Sequence, residues 1–201
     1  VEKVMEISND NFIFPAHAWT PWFGIFGSKS GFDSIKECFQ DQEKHIYAIE
    51  TGLSSDPEMN WRLSSLDKFA LLSNSDSHSP WCSRIGRECN VFDMKELSYK
   101  ELIKIIKEKN AKRFLFTIEV DPAYGKYHYD GHRNCKVSLD PEESMKMNNI
   151  CPVCGKPLTI GVLHRVEELA DRPRNFIPKD CIPFKKILPL AELTSKKYNL
   201  G

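Results

Sequence analysis

No segment of this 201-residue chain is apolar for the ~20 consecutive residues that a membrane-crossing helix needs. The opening stretch "VEKVMEISND" has neither the basic region nor the apolar run of a signal peptide, so a cytoplasmic location with no membrane partner is expected. There is no charge excess either. Lys+Arg and Asp+Glu stand at 28 each, so the chain as a whole offers no electrostatic footprint for nucleic acid. The balance is uneven, however: from Lys156 onward nine basic residues face five acidic ones, an excess of four. A Walker loop, a dinucleotide-binding glycine fingerprint and a G-x-S-x-G elbow are all missing, which removes the nucleotide-hydrolysing, dinucleotide-dependent and serine-hydrolase classes that those motifs define. Internal repeats and low-complexity segments are absent as well.

What is present is enough apolar residue, 41%, for a real core, together with seven cysteines. An odd number scattered through a chain of this size argues against a disulfide framework and for metal binding or free thiols. In the first half, short apolar runs end in polar clusters. "FIFPAHAW" ends near His17, "HIYAIETG" near Glu50, and "FALLSNSDSHSP" in Asp76 and His78. Runs of this kind read as buried strands. Helical segments such as "FDSIKECF" lie between them, so a parallel α/β arrangement is predicted, with reactive side chains at the carboxyl ends of the strands. "YKELIKIIKEKNAKRF" followed by "FLFTIEV" is a further helix and strand. After Asp121 the composition turns to loops and metal-type side chains, which places a boundary near residues 120–124. A short helix "VLHRVEELA", a proline-punctuated stretch and a helical "LAELTSKKYNLG" follow.

Two chelating pairs stand out. His132 and Cys135 in "GHRNC" have the same two-residue gap as Cys151 and Cys154 in "CPVCG", and about fifteen residues separate the pairs. Four ligands of this type close a tetrahedral zinc site with Zn–S near ~2.3 Å and leave no open position, so the site stabilises rather than catalyses. His128 is a competing ligand and Cys181 a distant one. A second set, His17 with Asp76 and His78, can converge on one metal at strand-to-loop turns, and imidazole with carboxylate suits Zn, Mn or Fe. A bound metal would deliver hydroxide to phosphorus. The third feature is "HAWTPWFGIFGSKSGFDS". Here Trp19, Trp22, Phe23 and Phe26 among glycines either stack on a nucleic-acid base or pack as core, while Lys29 meets phosphate. Trp61 and Trp81 read as core, and Arg62, Arg84 and Arg87 as phosphate clamps. Cys38, Cys82 and Cys89 lack ligand spacing and read as buried thiols or loop residues.

Taken together, "FPAHAWTPWFGIFGSKSGFDSIKECF", "AIETGLSSDPEMNWRLSSLDKFALLSNSDSHSP" and "DGHRNC…CPVCGKPLTIGVLHRVEELADRP" make the chain similar to the endonuclease Q family along nearly its whole length. That resemblance implies a partial polymerase-and-histidinol-phosphatase (PHP) type of distorted β/α barrel followed by a small zinc-ribbon-like module. Residues 1–122 would be the C-terminal part of the barrel, 123–175 the zinc-binding module, and 176–201 a linker and the start of a helical region. It implies cleavage of DNA on the 5′ side of deaminated bases (uracil, hypoxanthine, xanthine) or abasic sites by metal-activated water. His17, Asp76 and His78 would hold Zn²⁺, Mg²⁺ or Mn²⁺, Glu50 would either ligate or support a ligand, and His132, Cys135, Cys151 and Cys154 would hold structural Zn²⁺. DNA contacts are expected from Trp19, Trp22, Lys29 and Arg84. The family's opening His-x-His strand has no counterpart before His17, so the resemblance implies a central portion of a longer protein with an incomplete catalytic metal site. Two other functions fit the same residues: a phosphoesterase acting on small phosphate esters, and a non-catalytic zinc-ribbon DNA-binding fragment.

Overall fold

The computed structural model describes residues 1–29, 31–81 and 84–198; Cys82 lies outside them. The order of regular elements is α1 (Glu2–Ile7), α2 (Ile35–Phe39), β1 (Ala48–Glu50), α3 (Pro57–Asn60), β2 (Ala70–Leu72), β3 (Cys89–Phe92), α4 (Tyr99–Glu108), β4 (Phe114–Glu119), β5 (Asp130–His132), β6 (Val137–Leu139), α5 (Pro141–Lys146), α6 (Val162–Leu169), β7 (Phe184–Lys186) and α7 (Leu190–Tyr198). Local chemistry sets the helix ends. Ser34, Asp56 and Ser98 each accept a hydrogen bond from a backbone N–H of the first turn, and Asp140 with Glu143 forms a capping box around α5. Pro57 and Pro141 occupy the first helical position, where no donor is needed.

β1 and β2 pair in parallel, Ile49 opposite Leu71, and every residue of both is buried. The predicted strand at "FIFPAHAW" is reduced to a single parallel bridge, Ile13 to Ile46. Pro15 has no N–H to give, so the segment runs beside β1 through isolated bonds: Glu50 N–H to Pro15 O at 3.1 Å and Ala18 N–H to Glu50 O at 3.1 Å. The second sheet, β3-β4-β7, is mixed: β3 is antiparallel to β4, which is parallel to β7. A polar clasp joins the two sheets. Ser73 donates its N–H to Asn90 Oδ1 at 2.9 Å, and Asn90 Nδ2 donates back to Ser73 O at 2.9 Å. The fold is therefore mixed α/β rather than wholly parallel. β5 and β6 form a separate antiparallel hairpin.

One apolar cluster joins Trp19, Phe26, Ile49, Trp61 and Phe69 to Val162 and Val166 of α6. A second joins Ala48, Leu72, Ile105 and Phe114 to Ile182. Both therefore draw on residues from either side of position 122. Ion pairs reinforce the same junction: Arg62 with Glu167 at 2.7 Å, Arg172 with Asp67 at 2.6 Å, and Arg165 with Asp33. Phe26 sits at the meeting point, wholly buried and 4.6 Å from the Trp19 ring. Phe26→Ala is expected to reduce stability by about 3–5 kcal/mol through the cavity it leaves. The reading is a lower urea midpoint with an unchanged slope.

Candidate active site and metal centre

β1 ends at Glu50, whose side chain is buried and organises its surroundings. Its Oε2 accepts the backbone N–H of His17 at 2.6 Å, and its Oε1 accepts Asn74 Nδ2 at 2.8 Å. Both oxygens thus hold the chain segments carrying the neighbouring candidate residues. His17 has φ 32, and Gly52, at φ 67, passes so close that a Cβ would lie 3.0 Å from His17 Cα. The His17 ring is fixed by Thr20: Nδ1 is 3.1 Å from Thr20 Oγ1, which also lies 2.9 Å from Trp22 O. With the hydroxyl proton given to Trp22 O, His17 Nδ1–H donates to Thr20 and Nε2 carries the free lone pair.

Asp76 and His78 follow β2 and are exposed. Asp76 adopts φ 45. His78 Nδ1 donates to Asp76 O at 2.7 Å, which again leaves Nε2 as the nitrogen able to bind a metal. The Asp76 carboxylate stands 3.9 Å from His78 Nδ1. Among the described residues, His17, Asp76 and His78 do not draw three ligand atoms into one compact group. By themselves they do not make a closed metal site.

Two further carboxylates lie buried close by, and the sequence reading passed over both. Glu119 ends β4 and takes bonds from three hydroxyls, those of Thr117 (2.8 Å), Ser73 (2.9 Å) and Thr51 (3.0 Å). Burial pushes its carboxyl up to about 7, against the lowering effect of those hydroxyls. The geometry agrees, because Ser73 and Thr51 have carbonyl acceptors of their own, Ile118 O at 2.7 Å and Leu72 O at 3.2 Å. With either of those hydroxyl protons given to its carbonyl, a proton on Glu119 would complete the network. Glu88 is also raised, by burial first, with Arg87 opposing and Glu50 adding to the rise. Its Oε1 accepts Arg87 Nε at 2.8 Å, while Oε2 is buried with no hydrogen-bond partner among the described residues. A strand-end position, the signal that singled out Glu50, applies equally to Glu119.

The aromatic loop divides. Trp19 is 1% exposed and donates Nε1–H to Asn60 Oδ1 at 2.8 Å, so it is core and cannot meet DNA. Phe26 is core as well, whereas Trp22 and Phe23 are exposed at 43% and 91%. Lys29 and Arg84 are exposed. Arg62 is buried against Glu167, which removes it as a phosphate clamp. Trp61 is buried as expected, but Trp81 is exposed.

The second centre is compact. One ligand atom from each of His132, Cys135, Cys151 and Cys154 lies within 4.8 Å of all the others. A tetrahedron with bonds of ~2.3 Å has edges of about 3.8 Å, so this set fits a four-coordinate thiophilic ion with little movement. The turn Cys151–Gly155 builds the knuckle: Gly155, at φ 69, donates its N–H to Cys151 O at 2.9 Å, and Cys151 N–H reaches Lys156 O at 2.8 Å. Desolvation opposes ionisation of Cys151, but the N–H groups of Cys154 and Val153 overcome it and bring the thiol down to about 6. Desolvation and the neighbouring sulfurs push Cys135 up to about 11. His128 is buried elsewhere, its Nδ1 3.2 Å from Ser54 O, and Cys181 lies outside the cluster. Behind the centre, buried Asp130 accepts Gly161 N–H at 2.6 Å, pairs with His164 Nδ1 at 2.5 Å and receives the Ser144 hydroxyl, tying the hairpin to α6.

With an α/β unit carrying an open His/Asp set and an attached Cys₃His centre defined, comparison with known proteins becomes informative. No protein-family model matches the chain. An uncharacterized protein of Methanocaldococcus jannaschii is 35% identical over 190 residues, covering 92% of this chain and 23% of that protein. An uncharacterized protein of Bacillus subtilis is 31% identical over 166 residues, covering 82% of this chain and 40% of that protein. Among solved structures, the lesion-specific endonuclease Q of Pyrococcus furiosus superposes over 100% of this chain and 49% of its own, with a TM-score of 0.84 and 34% identity. An endonuclease Q complex with a 27-mer duplex carrying an abasic lesion at the active site matches equally, with a TM-score of 0.84 and 33% identity. This chain is thus endonuclease Q-like throughout. It spans less than half the length of each of these relatives.

Two outcomes follow from the geometry. Elemental analysis is expected to find a tightly held metal ion that Cys151→Ser and Cys154→Ser each release, with loss of stability in proportion, because ion binding and folding of the module are linked. For Glu119, the folded carboxyl at about 7 lies above the ordinary glutamate value of 4.5. Between those values the folded state retains a proton that the unfolded state has lost, so stability falls as pH rises from about 4.5 to about 7 and then levels. Glu119→Gln, which has no such proton to lose, is expected to flatten that slope in denaturant titrations across the same range.

Proposed function

We propose that this chain is the central part of a metal-dependent DNA-repair endonuclease that cuts duplex DNA on the 5′ side of deaminated bases (uracil, hypoxanthine, xanthine) or of abasic sites. The observation that carries this reading is the whole-chain match, with a TM-score of 0.84, to a lesion-specific endonuclease and to its relative bound to an abasic duplex. Residues 1–122 form the C-terminal part of a PHP-type β/α barrel in this reading, residues 123–175 a zinc-binding module, and 176–201 a linker and the start of a helical region. The Cys₃His centre holds structural Zn²⁺, for which four soft or borderline ligands without an open position are suited.

At the active site His17, Asp76 and His78 would hold a divalent cation (Zn²⁺, Mg²⁺ or Mn²⁺), which would supply activated water for phosphodiester hydrolysis. The chain's own residues prepare its place. Glu50 holds the His17 backbone and Asn74, so that the loop after Pro15 and the loop after β2 keep a fixed separation. Hydrogen bonding at Nδ1 directs Nε2 of both His17 and His78 outward as ligands, and Asp76 adds a carboxylate. Further ligands come from outside this chain, which explains why these three residues leave the set open. Arg84 and Lys29, both exposed, meet backbone phosphate and fix register without reading sequence.

The experiment is strand nicking of a uracil-containing or abasic duplex by the full-length protein with Mn²⁺ or Mg²⁺. Asp76→Asn is expected to lower the rate at least about 100-fold while leaving folding unchanged, since the residue is exposed and its loss removes only a ligand charge. Unchanged nicking would remove Asp76 from the site, and phosphate release from small esters without nicking would assign the barrel to phosphoesterase chemistry.

A further inference from the structure

Phe23 combines two features that folding alone does not reward. Its backbone φ of 64 puts a bulky side chain in the left-handed region, where Cβ crowds the following carbonyl. Its ring is 91% exposed, so the residue contributes little of the apolar burial a phenylalanine normally provides. The surrounding loop holds it there. A Cβ on Gly24 would lie 2.5 Å from Thr20 O, and one on Gly27 2.3 Å from the same atom, so the backbone on either side is packed without slack. Phe26 N–H bonds to Ala18 O at 2.8 Å, Lys29 N–H to Pro21 O at 3.0 Å, and the Trp19 and Phe26 rings anchor the loop in the core. The mount is coupled to the candidate site, because Thr20 Oγ1 contacts both His17 Nδ1 and Trp22 O, the carbonyl next to Phe23. Trp22 packs edge-on against Tyr127 at 5.7 Å, and Lys126 Nζ lies 4.8 Å from the Tyr127 ring. A cation and the exposed Lys29 therefore accompany the aromatic projection.

We propose that Phe23 is a wedge that enters duplex DNA at the lesion and fills the gap in the base stack while the damaged nucleotide is extruded. This rests on the nuclease reading above and adds to it the residue that senses the lesion. Insertion is easiest where a base is absent or poorly paired, so a rigidly presented ring opposes entry into intact duplex and rewards entry at damage. Aromatic stacking on the unpaired opposite base is worth on the order of tenfold in affinity. A left-handed, exposed phenyl is the strained arrangement expected of a functional element held in place by its frame.

The test is equilibrium binding of the full-length protein, without added divalent cation, to a duplex with one abasic site and to the same duplex intact, with 2-aminopurine opposite the lesion as an optical probe. The unsubstituted protein is expected to prefer the abasic duplex about tenfold and to change the probe emission. Phe23→Ala should abolish both effects while holding affinity for intact duplex within about twofold, since the phosphate contacts remain. Phe23→Leu, still an apolar wedge, should keep most of the preference. Phe23→Gly releases the left-handed strain and should unfold about 2 °C higher while losing the preference. An undiminished preference in Phe23→Ala overturns the wedge and leaves the nuclease reading standing. No abasic preference in the unsubstituted full-length protein overturns both, and a Phe23→Gly protein that unfolds several degrees lower makes Phe23 a structural residue and overturns the wedge.

Discussion

The candidate site depends on the carboxylate of Glu50. It ends a buried strand, and one oxygen fixes the backbone at His17 while the other holds Asn74, two residues before Asp76. A buried charge of this kind is costly unless its lone pairs are used, and here both oxygens are. The consequence is mechanical. The loop that follows Pro15 and the loop that follows β2 are held at a distance set by one side chain, and the His17 backbone at φ 32 is kept in a conformation it would otherwise leave. His17 in turn transmits that order through Thr20 to the aromatic loop.

A second buried carboxylate plays the matching part beside the Cys₃His cluster. Asp130 gathers Gly161 N–H, His164 and Ser144, so that the hairpin carrying His132, the helix α5 and the helix α6 meet at one residue. Because α6 also places Val162 and Val166 in the core beside Trp19 and Phe26, the Cys₃His centre is not a free appendage. It is joined through α6 to the same apolar cluster that anchors the aromatic loop. A metal ion there would stiffen the frame from which the loop projects, which is a structural contribution to recognition made without touching the chemistry.

How much of this the sequence disclosed follows from how local each signal is. The compact set His132, Cys135, Cys151 and Cys154 was legible because paired spacing forces proximity, and the same rule favoured His132 over His128. Helices α4 and α6 were legible from their apolar period, and β1, β2 and β4 from short buried runs. β3 and β7 were not, because "CNVF" and "FKK" hold together only through partners distant in the chain. Trp19 and Trp22 differ by three positions in a glycine-rich loop with no periodicity, so nothing local indicated that one is core and the other exposed. Glu119 stands at a strand end like Glu50 and was missed because no polar cluster follows it to draw attention. The apolar core that crosses position 122 is a non-local property and left no trace in composition.

Three buried carboxylates close to the ends of strands would repel one another if all were charged, and their environments prevent that. Glu50 accepts a backbone N–H and a side-chain amide, one at each oxygen. Glu119 is raised to about 7, and Ser73 and Thr51 can give their protons to carbonyls instead of to it. Glu88 is raised by burial and by Glu50 itself, with Arg87 as its counterweight. A continuous chain of hydrogen bonds links two of them: Glu50 to Asn74, Asn74 to Asn90 at 3.1 Å, Asn90 to Ser73, and Ser73 to Glu119. A proton held on Glu119 near neutrality therefore lowers the negative charge along the same network on which Glu50 depends. Glu50 is the carboxylate that orders the His17 backbone, while Asp76 stands exposed to solvent. Differential burial of like groups thus lets the carboxylate at one strand end act as scaffold while the one in the neighbouring loop stays open to solvent.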